Sequence, residues 1–127
     1  MRLLASLVVI AGLVAGSPAA HAQQPSFVIF FQLWSAAIDD QAQDVVAKAA
    51  DWIKSHKAKS VRVIGFADPT GSRKANVLLS ELRAQVVVDG LTAAGVAPSA
   101  IRQVGTGSVE FAGSSQEARR VEIRVGK

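Results

Sequence analysis

Cysteine is absent from all 127 residues. That removes a disulfide framework, a thiolate metal site and the thiol that a lipid would need on a mature N-terminus. Histidine is scarce, and His56 stands among lysines without the partners that a catalytic triad or a zinc site requires, so no catalytic residue, metal or cofactor is expected. Past Ala22 no stretch is long and apolar enough to cross a bilayer, which takes roughly 20 residues. There is no internal repeat and no long low-complexity tract. A small domain lacking these supports must be held by ordinary core packing, with regular secondary structure and few long loops.

What is present begins with an export signal. Arg2 precedes the apolar run Leu3 to Val14, then come Gly16, Ser17, Pro18 and the small-residue site Ala20-His21-Ala22. This is the pattern of a secretory signal peptide over residues 1–22, cut after Ala22, with one domain over 23–127. An uncleaved anchor is the alternative, but the apolar run stops at about a dozen residues, short of a span. The mature chain should then be soluble and carry no membrane span. The formal net charge, +4 for the whole chain and +3 once Arg2 is removed, is mild: it suits an anionic polymer, and a solvated surface accounts for it equally well. Export takes the chain away from nucleic acid.

Ser26 to Leu33, rich in β-branched and aromatic residues, predicts a first strand. From Asp39 the period changes. Ile38, Ala42, Val45, Val46, Ala49, Trp52 and Ile53 form one apolar stripe of a helix, with acids at its start and Lys54, His56 and Lys57 at its end. Val61 to Phe66 predicts a second strand, followed by the turn-rich loop Ala67-Asp68-Pro69-Thr70-Gly71-Ser72. A second helix is expected over Arg73 to Ala94, carrying Leu78, Leu79, Leu82, Val86 and Leu91, with Gly95 at its C-terminus. Ile101 to Gly105 and Arg119 to Val125 predict the last two strands, with a mobile Gly- and Ser-rich connection from Thr106 to Ala118. The order β-α-β-α-β-β implies an α+β fold, a mixed sheet with two helices packed on one face.

One constellation could carry chemistry. Asp68, Gly71, Asn76, Leu79, Ser80, Arg83 and Ala84 form the spaced set D-x-x-G-x-x-x-x-N-x-x-L-S-x-x-R-A, running from the loop into the second helix. Asn76 and Arg83 fall on one line of that helix, and a long helical side chain leans toward the N-terminus, so Arg83 should reach back toward the loop of Asp68. Neither Asp68 nor Arg83 belongs to the expected apolar stripes. The plainer readings are that Asp68 caps the turn and that Arg83 is its structural ion partner. Arg119 and Arg120 read as a solvated strand edge with Glu122 as counterion, and Trp34 and Trp52 as rim or core packing.

The blocks Gly65-Phe66-Ala67-Asp68, Gly71-Ser72, Asn76, Leu79-Ser80-Glu81, Arg83-Ala84-Gln85 and Arg119-Arg120-Val121-Glu122-Ile123 resemble the OmpA-like C-terminal domain. That family includes the wall-binding domains of outer-membrane protein A, peptidoglycan-associated lipoprotein and the flagellar stator protein MotB. The resemblance covers essentially the mature chain. It implies a noncatalytic periplasmic domain, associated with the wall or outer membrane, that binds the meso-diaminopimelate of the peptidoglycan peptide stem. By resemblance Asp68 and Arg83 grip its free zwitterionic end, Asn76 adds hydrogen bonds, Leu79 lines the site and Gly71 shapes the loop. The physics agrees: an ammonium needs an anion, and a carboxylate is best held by a guanidinium.

Four positions depart from the family pattern: Gln32, Trp34, Ser108 and Ala118. They leave a second reading, an interaction module for an envelope protein that keeps the fold and has lost wall binding. A third, an exported wall hydrolase, lacks a paired acid or a nucleophile set beyond Asp68.

Overall fold

The computed structural model describes residues 25–108 and 115–126, so the expected signal segment 1–22 lies outside the described residues. The elements follow as β1 (Ser26–Phe30), α1 (Asp40–Ser55), β2 (Ser60–Ala67), α2 (Arg73–Ala93), a 3-10 turn (Pro98–Ala100), β3 (Ile101–Ser108), the short α3 (Ser115–Ala118) and β4 (Arg120–Gly126). Among the described residues the strands form one mixed sheet in the order β1-β4-β2-β3. β4 runs antiparallel to β1 and β2, while β2 and β3 are parallel and joined through α2. Parallel neighbours need such a crossover, and here it is the helix that carries the spaced motif.

Strand parity decides which side is core. Val121, Ile123 and Val125 of β4 and Val61 and Val63 of β2 are buried with Ile29 in one cluster. The same cluster takes Ala42, Val46, Ala49, Ala50 and Ile53 from α1 and Ala84, Val87 and Leu91 from α2, so both helices cover one face, as expected. On the other face Arg120 lies over the Phe66 ring, 3.9 Å from its centroid, and pairs with Glu122 at 2.6 Å.

The helix ends are fixed by the residues that flank them. The Asp39 carboxylate accepts from the Ala42 N–H at 2.8 Å and the Ser72 hydroxyl from the Ala75 N–H at 3.1 Å, each satisfying an orphan donor of the first turn. Gly95, at φ +103°, follows the last turn of α2, and Lys54 of α1 donates to the Ala94 carbonyl at 2.6 Å. Gly65 lets α2 lie directly on β2: a Cβ there would stand 2.0 Å from the Ser80 carbonyl oxygen.

Several boundaries and faces differ from expectation. β1 ends at Phe30, although Phe31 still donates its N–H to the Arg119 carbonyl. β3 runs on to Ser108, so Thr106–Ser108 is strand and Ser115–Ala118 is helix, where a continuous mobile connection was expected; residues 109–114 lie outside the described residues. β4 is interior to the sheet, with β1 and β3 as the edges, so Arg119 and Arg120 do not border an open edge. On α2, Leu78 and Leu82 are 53% and 56% exposed, and the buried stripe is Asn76, Ser80, Arg83, Ala84, Val87 and Leu91. The half of the helix nearest the loop thus buries polar groups, and only the far half buries apolar ones.

Candidate functional site

The site begins where β2 runs out at Ala67. Asp68 is only 4% exposed, and both its oxygens are engaged. Oδ1 accepts from the Thr70 hydroxyl at 2.5 Å and from the Thr70 N–H at 3.3 Å, so the turn-capping role is real. Oδ2 accepts from Arg119 Nη1 at 3.2 Å, an ion pair across 51 residues of sequence. Asn76 reaches back from α2 and donates Nδ2 to the Thr70 carbonyl at 2.7 Å, tying helix to loop. Gly71, at φ +81°, closes the loop in the left-handed region, and a Cβ there would lie 2.4 Å from the Trp34 ring. Both facts call for glycine.

Arg83 is fully buried. Its Nε donates to the Ser35 carbonyl at 2.7 Å, Nη1 to the Phe66 carbonyl at 3.1 Å and Nη2 to the Gln32 carbonyl at 2.9 Å. The guanidinium also stands 5.3 Å from the centroid of the Phe31 ring. It therefore joins the end of β2 to the turn after β1, where Ser35 N–H donates to the Gln32 carbonyl. Two expectations change. Arg83 does reach toward the Asp68 loop, but the ion partner of Asp68 is Arg119. And Arg83 occupies the buried stripe of α2, where an unpaired guanidinium is tolerated because three backbone oxygens solvate it.

Charge follows from these contacts. Burial pushes the Asp68 carboxyl up, but the Thr70 hydroxyl, the Arg119 guanidinium, the Thr70 N–H and the charge of Arg119 together outweigh it and hold the group below the ordinary carboxylate value. Burial pushes Arg83 down to about 10, with the Asp68 charge opposing the fall and that of Arg119 adding to it. At neutral pH both are ionised.

Leu79 is half-buried beside this stripe, one position before Ser80. Ser80 supports the floor, donating to the Val77 carbonyl and accepting from the Gly107 N–H, both at 2.8 Å. Of the four departures from pattern, Gln32 contributes its carbonyl to Arg83, Trp34 packs its six-membered ring against Gly71 and Ala118 is buried. Ser108 closes β3. Trp52, half-buried on α1, stacks on His56 with centroids 3.8 Å apart, away from the loop. A groove of about 480 Å³ between α1 and α2, lined by residues such as Ile38, Val46, Val86 and Gly90, also lies apart from Asp68 and Arg83.

Arg119 is the site residue that sequence reasoning missed. Parity could have found it, since Arg119 shares the register of Val121, Ile123 and Val125 and so sits at the helix-covered side, as its hydrogen bond from Nε to the Phe31 carbonyl at 3.0 Å reflects.

Comparison with known proteins agrees with this architecture. The peptidoglycan-associated lipoprotein of Brucella melitensis is 34% identical over 80 residues, covering 63% of this chain and 48% of its own length. The peptidoglycan-binding protein ArfA of Mycobacterium tuberculosis is 39% identical over 88 residues, 65% of this chain and 27% of its own. The chain thus spans about half or less of the length of these relatives. Among solved structures, the OmpA-like domain of FopA1 from Francisella tularensis matches with a TM-score of 0.73 at 26% identity, over 79% of this chain and 70% of that one. The peptidoglycan-associated lipoprotein from Burkholderia pseudomallei shares the fold, with a TM-score of 0.72 at 24% identity over 87% of this chain and 95% of that one. The model of the OmpA family matches residues 30–124, and the chain belongs to that family.

Proposed function

We propose that this domain binds peptidoglycan noncovalently in the periplasm by holding the free end of a meso-diaminopimelate side chain between Asp68 and Arg83. The observation that carries the reading is the state of Arg83. Its charge is met by three neutral carbonyls, which use three of its five N–H groups and leave one on each Nη for an incoming carboxylate. Asp68, held ionised two residues beyond Phe66, supplies the anion for the neighbouring ammonium, which would join or displace Arg119 at Oδ2. Because Arg83 is fully buried, entry of the carboxylate requires the covering loops to give way. Asn76 and Gly71 hold the Asp68 loop in shape, and Leu79 flanks the entry. Two relatives whose names carry peptidoglycan, each over 30% identical, favour the same ligand.

The role is binding without catalysis: Asp68 is held as a fixed anion by the Thr70 hydroxyl and N–H and by Arg119, and is not paired with a second carboxylate as a hydrolytic acid–base couple would be. Export through the signal over residues 1–22 would deliver the domain to the wall, alone or with an envelope protein as partner. Cosedimentation of the purified mature protein with diaminopimelate-type sacculi tests the reading. Pelleting with sacculi supports it, and a soluble, folded protein that stays in the supernatant would leave only an interaction module. Clearing of a wall suspension would instead indicate a hydrolase.

A further inference from the structure

Trp34 has features that ordinary packing does not require. It is 49% exposed and holds a left-handed backbone, φ 54°, which a bulky side chain adopts only at a cost. Its ring lies on Gly71, so close that any side chain at that position would collide with it. It also rides on the turn whose two end carbonyls, those of Gln32 and Ser35, are the acceptors of Arg83. The indole is thereby tied to both halves of the proposed clamp. On one side it touches the loop in which Thr70, next to Gly71, binds Asp68; on the other, its own turn is pinned by Arg83.

From this geometry we infer that Trp34 is a specificity-determining wall of the site, packing its ring face against the aliphatic arm of the diamino acid whose zwitterionic end lies between Asp68 and Arg83. The inference rests on the reading of the clamp given above. Connectivity selects the occupant: the group adjacent to the held zwitterion is a chain of methylenes, while the sugars of the glycan lie several bonds further out. An exposed aromatic ring on the loops that cover two buried charges suits such a ligand, polar at its tip and apolar along its arm. It also holds water away from the ionic contacts at the tip, which strengthens them.

The chain contains only two tryptophans, and Trp52 is engaged with His56 elsewhere, so fluorescence can isolate Trp34. In a full-length Trp52→Phe protein, titration with free meso-diaminopimelate should shift the Trp34 emission. By calorimetry Trp34→Ala should bind free meso-diaminopimelate about tenfold more weakly, and Trp34→Phe within about threefold of the parent, all with cooperative melting. An unchanged emission under saturating ligand would overturn the inference. So would a Trp34→Ala protein that binds the free amino acid like the parent, or one that loses affinity only for sugar-bearing fragments. An Asp68→Asn protein that binds normally would instead overturn the clamp itself, which keeps the two failures apart.

Discussion

Arg119 Nη1 lies 3.2 Å from Asp68 Oδ2, joining the segment before β4 to the loop after β2. The Thr70 hydroxyl and this pair hold Asp68 ionised, while Arg83, the other proposed ligand-gripping residue, is held by three backbone oxygens and lies over the Phe31 ring. The two charges proposed to meet the ligand are therefore held by different hydrogen-bond partners, and their substitutions should have different consequences.

Asp68→Asn keeps an oxygen for the Thr70 hydroxyl and N–H and loses the charge. Stability should fall by about 1 to 3 kcal/mol, because the partly exposed Arg119 loses its partner but can still reach water. Binding to sacculi should fall on the order of 30-fold or more, the cost of removing one member of a desolvated charge pair. Thermal melting and cosedimentation on the same preparations measure both; a normal pellet from a folded variant would contradict the role.

Arg83→Ala should be mainly a folding defect. It strips the donors from the Gln32, Ser35 and Phe66 carbonyls at a buried position, a loss of about 3 to 5 kcal/mol in a domain whose total is roughly 5 to 15. Arg83→Lys, which keeps the charge without the planar fork, should recover part of the stability and little of the binding. Denaturant unfolding checks this, and a Tm within about 2 °C of the parent for Arg83→Ala would be the contrary result.

Acid should weaken the fold through Asp68. Its folded carboxyl titrates below the ordinary 3.8, so its contribution is fully present above that value and is lost as pH falls through the lower, folded one. Melting temperatures taken between about pH 5 and pH 2 should fall more steeply for the parent than for Asp68→Asn. Glu122, lowered in the same direction despite burial by hydrogen bonds from Arg120 and Arg124, contributes its own acid limb, which Glu122→Gln isolates.

Much of this was legible in the residues. Period alone separated helices from strands, because alternation in β4 and the three- and four-residue steps of α1 each bury one face. Of the spaced motif, Asn76 ties the helix back to the Asp68 loop through the Thr70 carbonyl and Arg83 reaches the Phe66 carbonyl just before that loop. What did not read through was the face of α2: Leu78 and Leu82 look like core, but the groove above β2 is narrow at Gly65 and accepts Asn76, Ser80 and Arg83 instead. Burial of Arg83 depends on carbonyls up to 51 residues away, which no local pattern announces. Likewise Thr106 and Gly107 look like loop in sequence, yet β3 continues through both, with Gly107 against Val77 of α2.

Export makes a separate prediction. The Ala20-His21-Ala22 site implies that protein recovered from the periplasm begins at Gln23. Intact-mass measurement should show that form, and retention of Met1 would contradict it.

The central claim is that a carboxylate and an ammonium are recognised together at Asp68 and Arg83. Calorimetric titration with two stem tripeptides, alike except that one ends in meso-diaminopimelate and the other in lysine, tests it most directly. Lysine keeps the ammonium and lacks the carboxylate that Arg83 would hold, so the account predicts at least about a tenfold preference for the diaminopimelate peptide; equal affinity for the two would contradict it.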